Sequence, residues 1–146
     1  MNRKDARRGR GLAGLCALMG MGVGALAASP GDAVGLWQTA EKDAVIRFAP
    51  CSDRATALCG RIAWDKDAGT ATDTCGVEVV RLERHDGDAW RDGWVYDPRS
   101  GKKYKGAVRV KSGDLHIRAY VGTELLGQTE QLQRVAQLPS SPVCKP

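Results

Sequence analysis

Along most of the chain, apolar and polar side chains take turns. Residues 43–49 set Ala44, Ile46 and Phe48 against Val45 and Arg47, and residues 58–65 set Ile62 and Trp64 against Arg61 and Asp65. Residues 90–97 put Trp90, Trp94 and Tyr96 on one face. Residues 103–111 alternate Tyr104, Val108 and Val110 with Lys103, Lys105, Arg109 and Lys111. Residues 114–121 alternate Leu115, Ile117, Ala119 and Val121 with Asp114, His116, Arg118 and Tyr120. A period of two is what a half-buried strand produces, because successive side chains point to opposite faces. Further runs at 34–40, 76–84 and 125–135 bring the predicted strands to eight, and no segment after residue 30 keeps a helical period.

Turn chemistry separates the runs. Asp86-Gly87 suits a tight type I′ hairpin. Pro98-Arg99-Ser100-Gly101 pairs a residue of fixed φ with one that tolerates positive φ. Ser112-Gly113 and Gly122-Thr123 are two more turn candidates. Successive short hairpins make sequence neighbours pair, so the expected fold is all-β: a single eight-stranded antiparallel up-and-down barrel, whose closure removes both edges. Residues 66–74 read as an exposed loop.

The first 27 residues change the picture of charge. The chain of 146 residues carries a formal charge of +5. Residues 1–27 hold Arg3, Lys4, Arg7, Arg8 and Arg10 against Asp5, so the remainder, with 17 basic and 16 acidic residues, is nearly neutral. A polycationic nucleic-acid binder is thereby disfavoured, and so is a disordered chain. The basic start, the uncharged run Gly11–Leu26 and Ala25-Leu26-Ala27 have the layout of a cleaved secretory signal peptide, too short in its apolar part to span a bilayer. Residues 28–146 are then one barrel domain with a short tail, 136–146. It would be periplasmic or secreted, with no integral membrane segment, and Cys16 would be lost with the leader.

Four cysteines remain: Cys51, Cys59, Cys75 and Cys144. An even count in an exported chain of this size implies two disulfides, with three connectivities open. Cys51 and Cys59 flank one polar connection between two strands and favour each other, which leaves Cys75 with Cys144. Zinc is excluded by spacing: there is no C-x-x-C, and only His85 and His116 are present.

Other chemistry is sparse. No G-x-S-x-G accompanies His116, so no nucleophile–base pair is visible. Asp65, Asp67 and Gly69 lack the remaining ligands of a calcium loop. No cofactor, no metal and no enzymatic activity is expected. The basic hairpin of Arg99, Lys102, Lys103, Lys105, Arg109 and Lys111 suggests an anion-binding face. Its own aromatic, Tyr104, falls on the opposite side by alternation, which argues for a solvated strand face instead.

Gly35-x-Trp37 on the first predicted strand and Arg134 on the last resemble the pattern of lipocalin-like barrels. The resemblance implies an indole at the closed end of the barrel beneath a basic side chain. A longer set of blocks is similar to a family of small exported bacterial proteins known as a domain of unknown function, number two-one-four-seven. It comprises Gly35-Leu36-Trp37, Ala44-Val45-Ile46-Arg47, Pro50-Cys51, Leu58-Cys59-Gly60-Arg61-Ile62 with Trp64, Gly93-Trp94-Val95-Tyr96-Asp97-Pro98, Ser100-Gly101-Lys102, Tyr104-Lys105-Gly106 and Tyr120-Val121-Gly122. It covers about residues 34–135 and implies a secreted calycin-like barrel with no established activity. This chain is shorter than many members between Trp64 and Cys75, and Cys144 lies beyond the matching part.

Fold analogy gives the leading functional expectation: a small, mostly apolar ligand held among Trp64, Trp94, Tyr96, Tyr104, Arg118 and Tyr120. The alternative is a filled barrel that contacts an envelope protein through its basic hairpin.

Overall fold

The computed structural model describes residues 27–145; the rest of the expected leader lies outside them. A short 3-10 turn, Pro30–Ala33, precedes eight strands: β1 (Gly35–Gln38), β2 (Ala44–Pro50), β3 (Leu58–Asp65), β4 (Glu78–Asp86), β5 (Ala89–Asp97), β6 (Lys102–Lys111), β7 (Asp114–Tyr120) and β8 (Gln128–Val135). Each strand pairs antiparallel with the next, and β8 returns to β1, so the barrel is closed. Trp37 is the seam residue, paired with Ile46 on one side and Arg134 on the other.

The inward side chains form one cluster that includes Trp37, Ile46, Phe48, Ile62, Val80, Leu82, Trp90, Val108, Leu115, Ile117 and Leu132. Burying each stabilises by roughly 1.5–3 kcal/mol relative to exposure. Seven of these residues, Trp37, Phe48, Val80, Leu82, Val108, Leu115 and Leu132, are fully buried. The 3-10 turn plugs the nearby end: Trp37 Nε1 donates to the Ala33 carbonyl at 2.8 Å, and Trp90 Nε1 donates to the Pro30 carbonyl at 3.1 Å. We call this the closed end. It also carries the tight β4–β5 and β6–β7 hairpins. The loops 39–43, 66–77, 98–101 and 121–127 ring the other, open end.

Three register shifts break the alternation, at Val45/Ile46, Gly60/Arg61 and Trp90/Gly93. A bulge turns every later side chain to the opposite face. The first pairs Trp64 with Val45, whose β1 partner is Gln38, and so moves Trp64 off the interior face. The second leaves both Val79 and Val80 in the core. The third lies beside Asp92, whose φ is 61°, and turns Trp94 and Tyr96 outward. The β4–β5 turn is also displaced by one residue. Asp86 pairs with Ala89, leaving Gly87 and Asp88 as the loop, and only Gly87 has positive φ (61°), the type II′ pattern rather than I′. Ser112 and Gly113 (φ 53° and 86°) form the expected two-residue turn, with the positive φ at both positions that type I′ requires.

Both disulfides join the expected partners, Cys51 to Cys59 and Cys75 to Cys144. The tail after Val135 leaves the closed end of β8 and is joined through Cys144 to Cys75. On the outward face of β2 and β3, Val45 (0% exposed) and Trp64 (7% exposed) are buried. Loop 66–74 is pinned rather than loose: Asp65 accepts hydrogen bonds from the Asp67 and Thr74 backbone N–H groups and from the Thr74 hydroxyl.

Candidate functional site

The six residues expected around a ligand do not converge. Among them only Tyr104 faces the lumen, opposite Val95, which is itself opposite the core residue Val80. Trp64 pairs with Val45 on the outward face and is buried there. Trp94 pairs with Arg81 and Lys105, Tyr96 with Lys103, Tyr120 with Lys105, and Arg118 with Ala107 and Thr129, all on the outer surface. Val121, expected to face inward, lies beyond the end of β7 and is exposed. The signal that could have revealed this is the rhythm of the strands themselves. The single extra residue at a bulge, however, leaves no mark of its own in the hydrophobic pattern.

Toward the open end the inward positions of β6 and β8 carry Tyr104 and Glu130. Glu130 pairs with the core residue Ile117 and therefore points inward, yet it is open to solvent. Desolvation by the surrounding wall, followed by the charges of Glu41 and Asp43, raises its pKa above the ordinary glutamate value. Asp43 on the rim is held by Thr39 Oγ1 and by the Arg99 guanidinium. A separate groove of about 580 Å³ opens at the closed end, lined by residues including Pro30, Val34, Pro50, Leu58, His85 and Trp90. His85 packs edge-on against Trp90, with ring centroids 5.5 Å apart. His116 sits outside, across from Arg109 and Gln131. Among the described residues no cluster of His, Cys, Asp or Glu could hold a metal ion.

The outer face of β5–β7 is the dense one. One row reads Arg81, Trp94, Lys105, Tyr120 across four strands, and the next places Tyr96 beside Lys103. Lys103 Nζ stands 4.0 Å from the Trp94 ring centroid, a cation–π contact. The expected separation of charge from aromatic surface therefore fails. Tyr104 does point away from the lysines, but β5 and β7 bring three other rings to their side. Arg81 is neutralised by Asp53 and Glu83, whose charged hydrogen bonds raise its pKa far above the usual arginine value. Among the described residues, Lys103 and Lys105 have no carboxylate partner.

Below this row the 3-10 turn Glu124–Leu126 is strapped to the wall. Glu124 forms ion pairs with Arg91 and Arg109, and Arg109 also reaches Asp88 at 3.0 Å. Burial pushes the Glu124 carboxyl up, but Arg109 and Arg91 outweigh it and hold the pKa below the usual value. Arg118 donates to the Glu124 and Leu125 carbonyls at 2.6 and 2.8 Å. Ala107 is fully buried although it faces outward, between these arginines.

A profile of a family described as an uncharacterized protein conserved in bacteria matches residues 35–134. Among solved structures, a Helicobacter pylori protein described as belonging to the lipocalin family is similar, with a TM-score of 0.52 and 18% identity over 71% of this chain and 83% of that one. At that identity the likeness concerns the fold alone. No curated protein matches.

Proposed function

The chain belongs to the bacterial family DUF2147, and from that premise we propose that it is an exported, non-catalytic binding protein of the cell envelope that works through its outer β5–β7 face. The observation that carries this reading is the filled interior. The core side chains beside the plug, seven of them fully buried, occupy the barrel interior, which favours recognition on the outer surface over a ligand held deep inside. Recognition then falls to the surface, where Trp94, Tyr96 and Tyr120 lie among unpaired lysines. Aromatic and cationic groups together are the side chains that anchor interfaces. The two disulfides support an oxidising compartment, periplasmic or extracellular.

Crosslinking in the host tests it. The wild-type protein should give adducts with envelope components, and Lys103→Glu with Lys105→Glu should abolish them. Undiminished adducts would remove this face from the function.

A second reading rests on Glu130 and Tyr104 at the open mouth. A small ligand bound there would be polar or cationic rather than apolar, matching the carboxylates of Glu130, Glu41 and Asp43. Native mass spectrometry of gently purified protein would show such a ligand as an added mass removed by Glu130→Lys. A bare mass would count against it.

A further inference from the structure

We propose that the β5–β7 face docks on an anionic lipid bilayer, with Leu125 and Leu126 entering the headgroup region and Lys103 and Lys105 resting on the lipid phosphates. This rests on the envelope-surface reading above and names the partner.

The first observation is the placement of apolar surface. Five large hydrophobic residues are exposed among the described residues, and three of them share the loop 121–127: Val121 (75% exposed), Leu125 (88%) and Leu126 (83%). Aliphatic side chains held this far into water have no packing role within the barrel. The second is that the loop is held in place. The Glu124 ion pairs with Arg91 and Arg109 and the Arg118 bonds to the Glu124 and Leu125 carbonyls fix the backbone that presents the leucines. Little ordering entropy is left to lose on contact. The third is the surroundings. Val121 follows Tyr120, whose partner is Lys105; Trp94 and Lys103 come next on the same face. Exposed leucines, Trp and Tyr rings, and lysines without carboxylate partners are together the groups that a negatively charged bilayer takes up. Arg118 adds a third cation, since its partners are carbonyls and the Thr129 hydroxyl. A polyanion such as single-stranded nucleic acid would use the rings and lysines but gain nothing from two protruding leucines.

The experiment is vesicle co-sedimentation of the disulfide-bonded protein. Vesicles of phosphatidylcholine with about a third phosphatidylglycerol should bring the protein down, and pure phosphatidylcholine should not. Added salt should weaken the interaction. Lys103→Ser with Lys105→Ser should weaken partitioning about 30-fold, at roughly fivefold per lysine. Leu125→Ser with Leu126→Ser should weaken it at least about tenfold while leaving the melting temperature unchanged, because neither side chain is packed. No sedimentation with anionic vesicles, or full binding by the leucine variant, overturns the proposal. Binding to heparin or single-stranded DNA that the leucine variant retains, without vesicle binding, also overturns it in favour of a polyanion surface. If lysine-dependent crosslinks to envelope proteins persist when vesicle binding is absent, the lipid partner falls and the envelope-surface reading stands. If both are absent, both fall.

Discussion

Arg134 sits over Trp37, with its guanidinium carbon 4.0 Å from the ring centroid, and the two residues face each other across the seam that closes the barrel. The same guanidinium donates to the Val34 and Asp32 carbonyls, tying the plug to the last strand. Arg134→Ala should therefore cost about 1–3 kcal/mol in urea unfolding, from the cation–π contact and the two charged hydrogen bonds together. Gly35→Ala should do comparable harm. Its Cβ would lie 2.5 Å from Arg134 Nη1, at a φ of 136° that side chains avoid.

Asp65 should matter as much to the open end. It is 6% exposed. Desolvation pushes its pKa up, but the Thr74 hydroxyl and the backbone N–H groups of Asp67 and Thr74 outweigh it and hold the value below the ordinary aspartate. The carboxylate thus favours folding at neutral pH, and that contribution disappears as pH falls through the depressed folded value. Asp65→Ala should lower stability by roughly 1–3 kcal/mol, with increased proteolysis within 66–74. An unchanged cleavage pattern would show that the loop does not depend on it.

Glu130 should behave in the opposite sense. Its folded pKa is raised, first by desolvation and then by Glu41 and Asp43. The folded state therefore binds its proton more tightly than the unfolded chain does, and stability falls as pH rises through the folded value. Glu130→Gln should raise the melting temperature at pH above that value. The gain should shrink to nothing on acidification below the unfolded glutamate range. A gain independent of pH would mean that the carboxylate charge is not its cause.

The two disulfides should differ in weight. Cys75 and Cys144 are 69 positions apart, Cys51 and Cys59 only eight. In the chain-entropy account the long loop contributes about 4 kcal/mol and the short one about 2.5 kcal/mol. Cys144→Ser should accordingly be the more damaging substitution in guanidinium titrations.

The barrel was legible because period two, turn residues and Gly35-x-Trp37 with Arg134 all agree on it. The strands fall within a few residues of their expected limits, and both cysteine pairs follow from spacing and elimination. The site was not legible, for one physical reason. Side-chain direction inherits every bulge before it. Ala63 beside Trp64, and Arg91 and Asp92 ahead of Trp94, carry no mark in the pattern. Three aromatic residues expected inside therefore stand outside. Glu130 shares the parity of the core residue Leu132 along β8, and the pairing with Ile117 places it on the inward face.

The stretch Pro30–Ala33 acts as a cork seated by two indoles, one from each side of the barrel. A recombinant piece trimmed past Pro30 would leave the Trp90 N–H without its acceptor, and trimming past Ala33 would strand Trp37 as well. The smallest fragment that keeps its native floor thus begins at or before Ser29, upstream of the first residue that any strand-based boundary would choose.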